Sequence, residues 1–179
     1  MKRNTLVFFY FLVFLLPLSV AAEGVNQTKV HIYGIIQNPT CNVVNSDIYV
    51  DFGNIIDKEL YARKRTSSIP FTIKLDKCDL TFDHDVIVTF IGNESLASDL
   101  QGFLAIDELS TATGIAIGIE NMNGKLIPLR EESHQGPIRS ENMLLHFNAF
   151  ISAERQAIQN HTIGLGSFTA TATFHIEYE

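Results

Sequence analysis

Tryptophan is absent from the 179 residues, prolines number five and cysteines two. Positive charge is also scarce, with thirteen Lys and Arg against twenty Asp and Glu and a formal net charge of −7. Such a chain lacks the basic footprint that holds a protein on a nucleic-acid backbone, and that class is set aside. Charged residues of both signs make up 18% and apolar residues 46%, which suffices for a core and excludes low-complexity disorder. The length allows one domain, or at most two small ones.

Catalytic signatures are missing as well. There is no Gly-x-Ser-x-Gly elbow and no phosphate loop, and the acidic pairs Asp107-Glu108 and Glu131-Glu132 fall in turn-like segments. The six histidines (31, 84, 134, 146, 161 and 175) show no HxxxH spacing. Asp79 with Asp83-His84-Asp85 reads as a solvated loop beside a strand rather than a cation site, and Arg63-Lys64-Arg65 as a solvated basic loop. Three Asn-x-Ser/Thr sequons begin at Asn26, Asn93 and Asn160, a number close to chance for this composition. The expectation is no enzyme, no metal and no cofactor.

What is present begins with a leader. Basic Met1-Lys2-Arg3 precedes an apolar run over residues 6–18, and Ser19-Val20-Ala21-Ala22 supplies small side chains. This is the three-part form of a secretory signal, with cleavage expected after Ala22. The run is shorter than the roughly 20 residues that a bilayer core requires and contains Pro17, which disfavours an anchor. Cleavage removes two basic residues and no acidic ones, leaving 157 residues with eleven basic against twenty acidic.

Export gives the cysteines a meaning. In an oxidising compartment Cys41 and Cys78, 37 positions apart, are most simply one disulfide, the alternative being two buried thiols. Closing that loop stabilises by roughly 4 kcal/mol on the chain-entropy model.

The rest reads as β. Alternating or β-branched runs lie at residues 29–37, 47–52, 69–75, 86–91, 114–119, 126–129, 143–152 and 168–178. Turn residues separate most of them, and Asn121-Met122-Asn123-Gly124 predicts a hairpin. Residues 152–159 allow one short helical turn. Seven or eight short strands without a long helix predict an all-β, immunoglobulin-like sandwich. In the last run Phe168, Ala170, Ala172, Phe174, Ile176 and Tyr178 share one face, while Thr169, Thr171, Thr173, His175 and Glu177 share the other. The first run places Val30, Ile32, Gly34 and Ile36 on one face, where Gly34 weakens a strand and packs nothing. A close approach to another backbone or to a bulky side chain accounts for it better.

These residues carry a resemblance. The alternating N-terminal segment with Gly34 seven residues before Cys41, Val50-Asp51-Phe52-Gly53, and Cys78 are the first part of it. Gly114-Ile115-Ala116-Ile117 before Asn123-Gly124, and Ala170-Thr171-Ala172-Thr173-Phe174 ahead of a penultimate Tyr178, complete it. Together, over nearly the whole mature chain, they resemble the pilins of the chaperone-usher route. The segment from Leu144 onward is most similar to adaptor or minor subunits of P-type pili.

The resemblance implies a pilin fold, an incomplete immunoglobulin-like sandwich completed by a donor strand from a periplasmic chaperone or a neighbouring subunit. It implies a signal peptide at 1–22, a donor extension at 23–37 and a pilin domain at 38–179. Val30, Ile32 and Ile36 would be inserted, with Gly34 at the position the family keeps small. Phe168, Phe174, Ile176 and Tyr178 would line the acceptor groove, and the Glu179 carboxylate would meet basic residues of the chaperone. Partners would be that chaperone, an outer-membrane usher and adjacent subunits, and the destination the cell-surface pilus. A major rod subunit is the alternative within the family, and a secreted immunoglobulin-like binding domain the alternative outside it. A tip adhesin would need a lectin domain for which 157 residues leave no room.

Overall fold

A computed structural model describes residues 40–81 and 83–179, together with Tyr33. The predicted leader at 1–22, the strand at 29–37 with Val30, Ile32, Gly34 and Ile36, and the sequon at Asn26 lie outside the described residues, apart from Tyr33, which is exposed. The compact unit that contains the core spans Asn38–Glu179.

Among the described residues, eight strands and two short helices follow in order. They are β1 (Asn42–Val43), α1 (Asp57–Arg63), β2 (Ile69–Asp76), β3 (Asp85–Gly92) and β4 (Leu104–Ala105), then β5 (Ile115–Asn121), β6 (Glu132–Pro137), β7 (Met143–Ala153), α2 (Arg155–Asn160) and β8 (Ala172–Tyr178). Two antiparallel sheets result, of order β1-β2-β7-β5-β4 and β6-β3-β8. The alternation predicted from sequence decides which side chains meet between them. Val86, Val88 and Phe90 of β3 pack with Ile73 and Leu75 of β2, Leu145, Phe147 and Ile151 of β7, and Ile117 and Ile119 of β5 in one buried cluster. Phe147 is fully buried at its centre, with ring centroids 5.6 Å from Phe71 and 5.1 Å from Phe90. Cys41 and Cys78 form the expected disulfide at one end of the sandwich.

The outer face of the larger sheet has its own cover. Phe150 points outward from β7, with Phe103 edge-on at 5.7 Å and the Arg65 guanidinium 3.5 Å above the ring. Arg65 donates to both oxygens of Glu120 at 3.1 Å, and Ser68 donates to the same carboxylate. A Cβ at Gly118 would lie 2.3 Å from Phe150, so the glycine inside β5 makes space for this aromatic.

Differences from the sequence expectation have local causes. Residues 126–129 are not a strand, because Pro128 has no N–H to give a ladder. Leu126 bridges Glu120, and the Leu129 amide turns away to the Gly102 carbonyl. The hairpin turn is present, with Asn121 Oδ1 accepting from the amides of Asn123 and Lys125. The last strand begins at Ala172 rather than at 168, since the amides of Asp107 and Thr111 donate to the carbonyls of Thr169 and Ser167. α1 has no counterpart in the sequence reading. Asp57 and Glu59 occupy its positive end, and Lys64, left-handed at φ 69°, closes it by donating to the Leu60 carbonyl. Among the described residues no helix is long and apolar enough to cross a membrane.

Candidate functional site: an open cleft beside the last strand

β8 lies at the border of the three-stranded sheet and, among the described residues, has β3 as its one ladder partner. That ladder runs from Gly92↔Ala172 to Val86↔Tyr178 and continues through reciprocal backbone bonds between Asp85 and Glu179. Glu179 is exposed at its end. Thr173, His175 and Glu177 are exposed on the outer face. The inner row, Phe168, Ala170, Ala172, Phe174, Ile176 and Tyr178, packs against the core yet is only half buried. A sandwich closed on this side would bury that row as fully as it buries β3.

A second half-buried row explains the opening. Residues 47–52 alternate as predicted, with Ile48, Val50 and Phe52 against the core and Asp47, Tyr49 and Asp51 exposed. They are nevertheless not a strand. Among the described residues no backbone–backbone hydrogen bond is made by residues 47–55. Asp51 Oδ1 takes the Gly53 amide at 2.8 Å, and Gly53, at φ 59°, turns the chain toward α1.

Two contacts fix this segment relative to β8. At one end the Cys41 backbone lies beside the Tyr178 hydroxyl. At the other the Phe52 and Phe168 rings lie 6.1 Å apart. Residues 41–52 therefore run beside 168–178 in the opposite sense, with no ladder between them. Burial pushes the Tyr178 hydroxyl pKa above its ordinary value, outweighing the nearby Cys41 backbone, which acts the other way. Such an arrangement has no group poised for bond-making chemistry. Among the described residues it offers backbone without ladder partners and a half-covered apolar floor, the two things an added strand consumes.

Phe168, Phe174, Ile176 and Tyr178 thus share one inner row, with Glu179 at its end. Ile48, Val50 and Phe52 were missed as part of the cleft. Their alternation was legible, but period-2 patterning reports which face is buried and not whether a neighbour exists. The loop acids sit elsewhere. Asp79 accepts from the Thr81 amide, a bond that with the Thr81 side chain holds its carboxyl below the usual range, while Asp83 lies 3.9 Å from Arg139. Among the described residues no group of three or more His, Cys, Asp or Glu is placed to hold a metal. In the basic run, Arg63 lies 3.9 Å from Glu59, Lys64 pairs with Asp99 at 2.9 Å and Arg65 pairs with Glu120, so all three charges have acidic partners within the fold.

Comparison with known proteins bears on this geometry. The family model described as fimbrial protein matches residues 30–179. The fimbrial subunit PmfF of Proteus mirabilis (strain HI4320), given the name of a minor subunit, is 26% identical over 172 residues, covering 94% of this chain and 93% of that one. The major MR/P fimbria protein of the same strain is 31% identical over 165 residues, covering 90% and 89%. Among solved structures, the P pilus rod subunit PapA superposes with a TM-score of 0.66 at 21% identity, over 79% of this chain and all of that one, a likeness of fold. The chain belongs to the fimbrial protein family: it is a chaperone-usher pilin with an incomplete immunoglobulin-like fold, a structural subunit and not an enzyme.

Proposed function

We propose that this subunit is built into its fibre by donor-strand exchange, as a minor or adaptor pilin that supports adhesion. The cleft between residues 47–52 and β8, half buried on both sides and without backbone partners between them, carries the reading. A periplasmic chaperone strand fills it first and the N-terminal extension of an adjacent subunit later, with an outer-membrane usher as the site of exchange. Residues 1–22 are the export signal and 23–37 the extension given to the preceding subunit's groove. The compact unit Asn38–Glu179 supports a pilin domain that starts at 38. Val30, Ile32 and Ile36 insert, contributing about 5 to 9 kcal/mol before ordering costs at about 1.5 to 3 each. Gly34 faces a bulky neighbour. The similarity to PmfF over 94% of the chain favours the minor role. A comparable similarity to a major fimbria protein keeps the rod subunit as second reading, and self-polymerisation of the purified subunit would establish it.

Truncation after Thr173 tests the groove. It removes Phe174, Ile176 and Tyr178 from one wall, and the expected outcome is loss of chaperone capture, followed by degradation or aggregation in the periplasm. Normal co-purification of the truncated chain with the chaperone would show that the groove lies elsewhere.

A further inference from the structure

We infer that the depression on the outer face of the larger sheet, bordered by Arg63, Lys64 and Arg155, is a binding site for one residue of an anionic saccharide, a sugar ring bearing a carboxylate or a sulfate. The inference goes beyond strand insertion and makes no use of the cleft beside β8.

The depression forms where the ends of several elements are drawn together. After α1 the chain runs beside the end of β7: the Ala153 amide donates to the Lys64 carbonyl, the Thr66 amide donates to the Ile151 carbonyl, and Arg65 bridges Ser152. Opposite lies the loop 97–103, in which Leu100 is buried and Phe103 packs edge-on against Phe150. Asp99 of this loop ties the two sides to α2. Its Oδ2 accepts from Lys64 Nζ at 2.9 Å and from the amide of Arg155, the first residue of α2, at 3.0 Å. Between them remains a cavity of about 260 Å³, open on one side and lined by Phe103, Phe150 and Ser152 among others. That volume lies just below the roughly 300 to 1,000 Å³ of sites for drug-sized ligands, so it suits a single ring.

Charge is layered around the opening. Four cations, Arg63, Lys64, Arg65 and Arg155, meet three carboxylates, Glu59, Asp99 and Glu120. The excess is small, but the two signs sit at different depths. The side chains of Arg63 and Arg155 are 74% and 68% exposed, whereas those of Asp99 and Glu120 are 13% and 5% exposed. An approaching solute meets positive charge first, on a chain whose formal total is −7.

Below that rim the chemistry is mixed. Ser152 shares the outward row of β7 with Phe150, is 4% exposed, and makes no side-chain hydrogen bond among the described residues. No sealed side-chain oxygen or nitrogen among them lacks a partner, so this hydroxyl opens into the depression. Asp99 retains acceptor capacity, because a carboxylate has about four acceptor positions and the two bonds above fall on one oxygen. A bare anion would use the cations and be repelled by Asp99. An acidic peptide side chain, with a carboxylate and no hydroxyl, would meet the same repulsion. A sugar ring offers hydroxyls to Asp99 and Ser152, C–H groups to the half-buried Phe103 ring, and its acid group to Arg63 and Arg155.

The exported chain, purified in whatever chaperone complex it leaves the periplasm with, can be titrated calorimetrically with heparin and hyaluronan tetrasaccharides. Chitotetraose serves as the uncharged counterpart and inorganic sulfate as the bare anion. The expected result is that at least one acidic tetrasaccharide binds, that chitotetraose binds at least about tenfold more weakly, and that equimolar sulfate does not displace the ligand. R63Q/R155Q, which alters only exposed side chains, should lower the affinity about tenfold, and S152A, which leaves the charge unchanged, several-fold, both with unaltered circular dichroism. Should S152A fail to fold, R63Q/R155Q decides alone. No binding of either acidic tetrasaccharide, displacement by equimolar sulfate, or undiminished binding by either folded variant would overturn the site.

Discussion

Glu120 is the one carboxylate among the described residues that the fold buries, at 4% exposure. Burial alone would raise its pKa, but the hydrogen bonds from Arg65 and Ser68, with the Arg65 charge, outweigh that and hold the carboxyl below its ordinary value. The sign follows by linkage. A depressed folded-state pKa contributes stability that is present above the ordinary glutamate range and is lost as pH falls through the folded value. Glu120→Ala should therefore cost about 1 to 3 kcal/mol at neutral pH, at the lower end because Arg65 is partly exposed and can rehydrate. The difference from the unsubstituted chain should shrink on acidification, as equilibrium denaturation at several pH values would record. A constant difference down to pH 3 would remove the ionised carboxylate from the account. None of this cluster was legible beforehand. Arg65 read as solvated charge, because the pairing brings together residues 55 positions apart.

At the scale of elements, what could be read from the chain was whatever one strand's own pattern reports. β2, β3, β5 and β7 lie where alternation placed them, since each has one face in the core. β6 escaped notice because its residues, ESHQGP, are polar or small and it lies at a sheet border. α1 escaped because seven residues are too few to establish a 3.6-residue period. The disulfide was legible from two cysteines and an export leader. Its placement was not: Cys41 touches the end of β8, so the bridge secures one end of the cleft as well as the fold. Replacing both cysteines by serine should lower stability by about 4 kcal/mol on the chain-entropy model, and β8 amides near Tyr178 should exchange faster than those near Ala172. Uniform acceleration along β8 would confine the bridge to a global role.

For the whole molecule, the cleft is the feature that the other scales converge on. A complete sandwich would have no use for two half-buried rows facing each other without a ladder, whereas a subunit awaiting a strand requires them. Of the proposed receiving half, the inner row of β8 was readable from its alternation, whereas the facing row at Ile48, Val50 and Phe52 was not. The half that gives, Val30, Ile32, Gly34 and Ile36, rests on the N-terminal pattern and its resemblance. Deleting residues 23–37 from the exported chain separates the two most directly. The account predicts a variant that still co-purifies with its chaperone and keeps native-like circular dichroism, because its own body is intact. It should fail to enter the preceding subunit's groove, and Gly34→Leu should slow that entry through overpacking costing about 1 to 3 kcal/mol. Unfolding of the chaperone-bound deletion variant would contradict the account, since the N-terminal strand would then belong to its own sandwich.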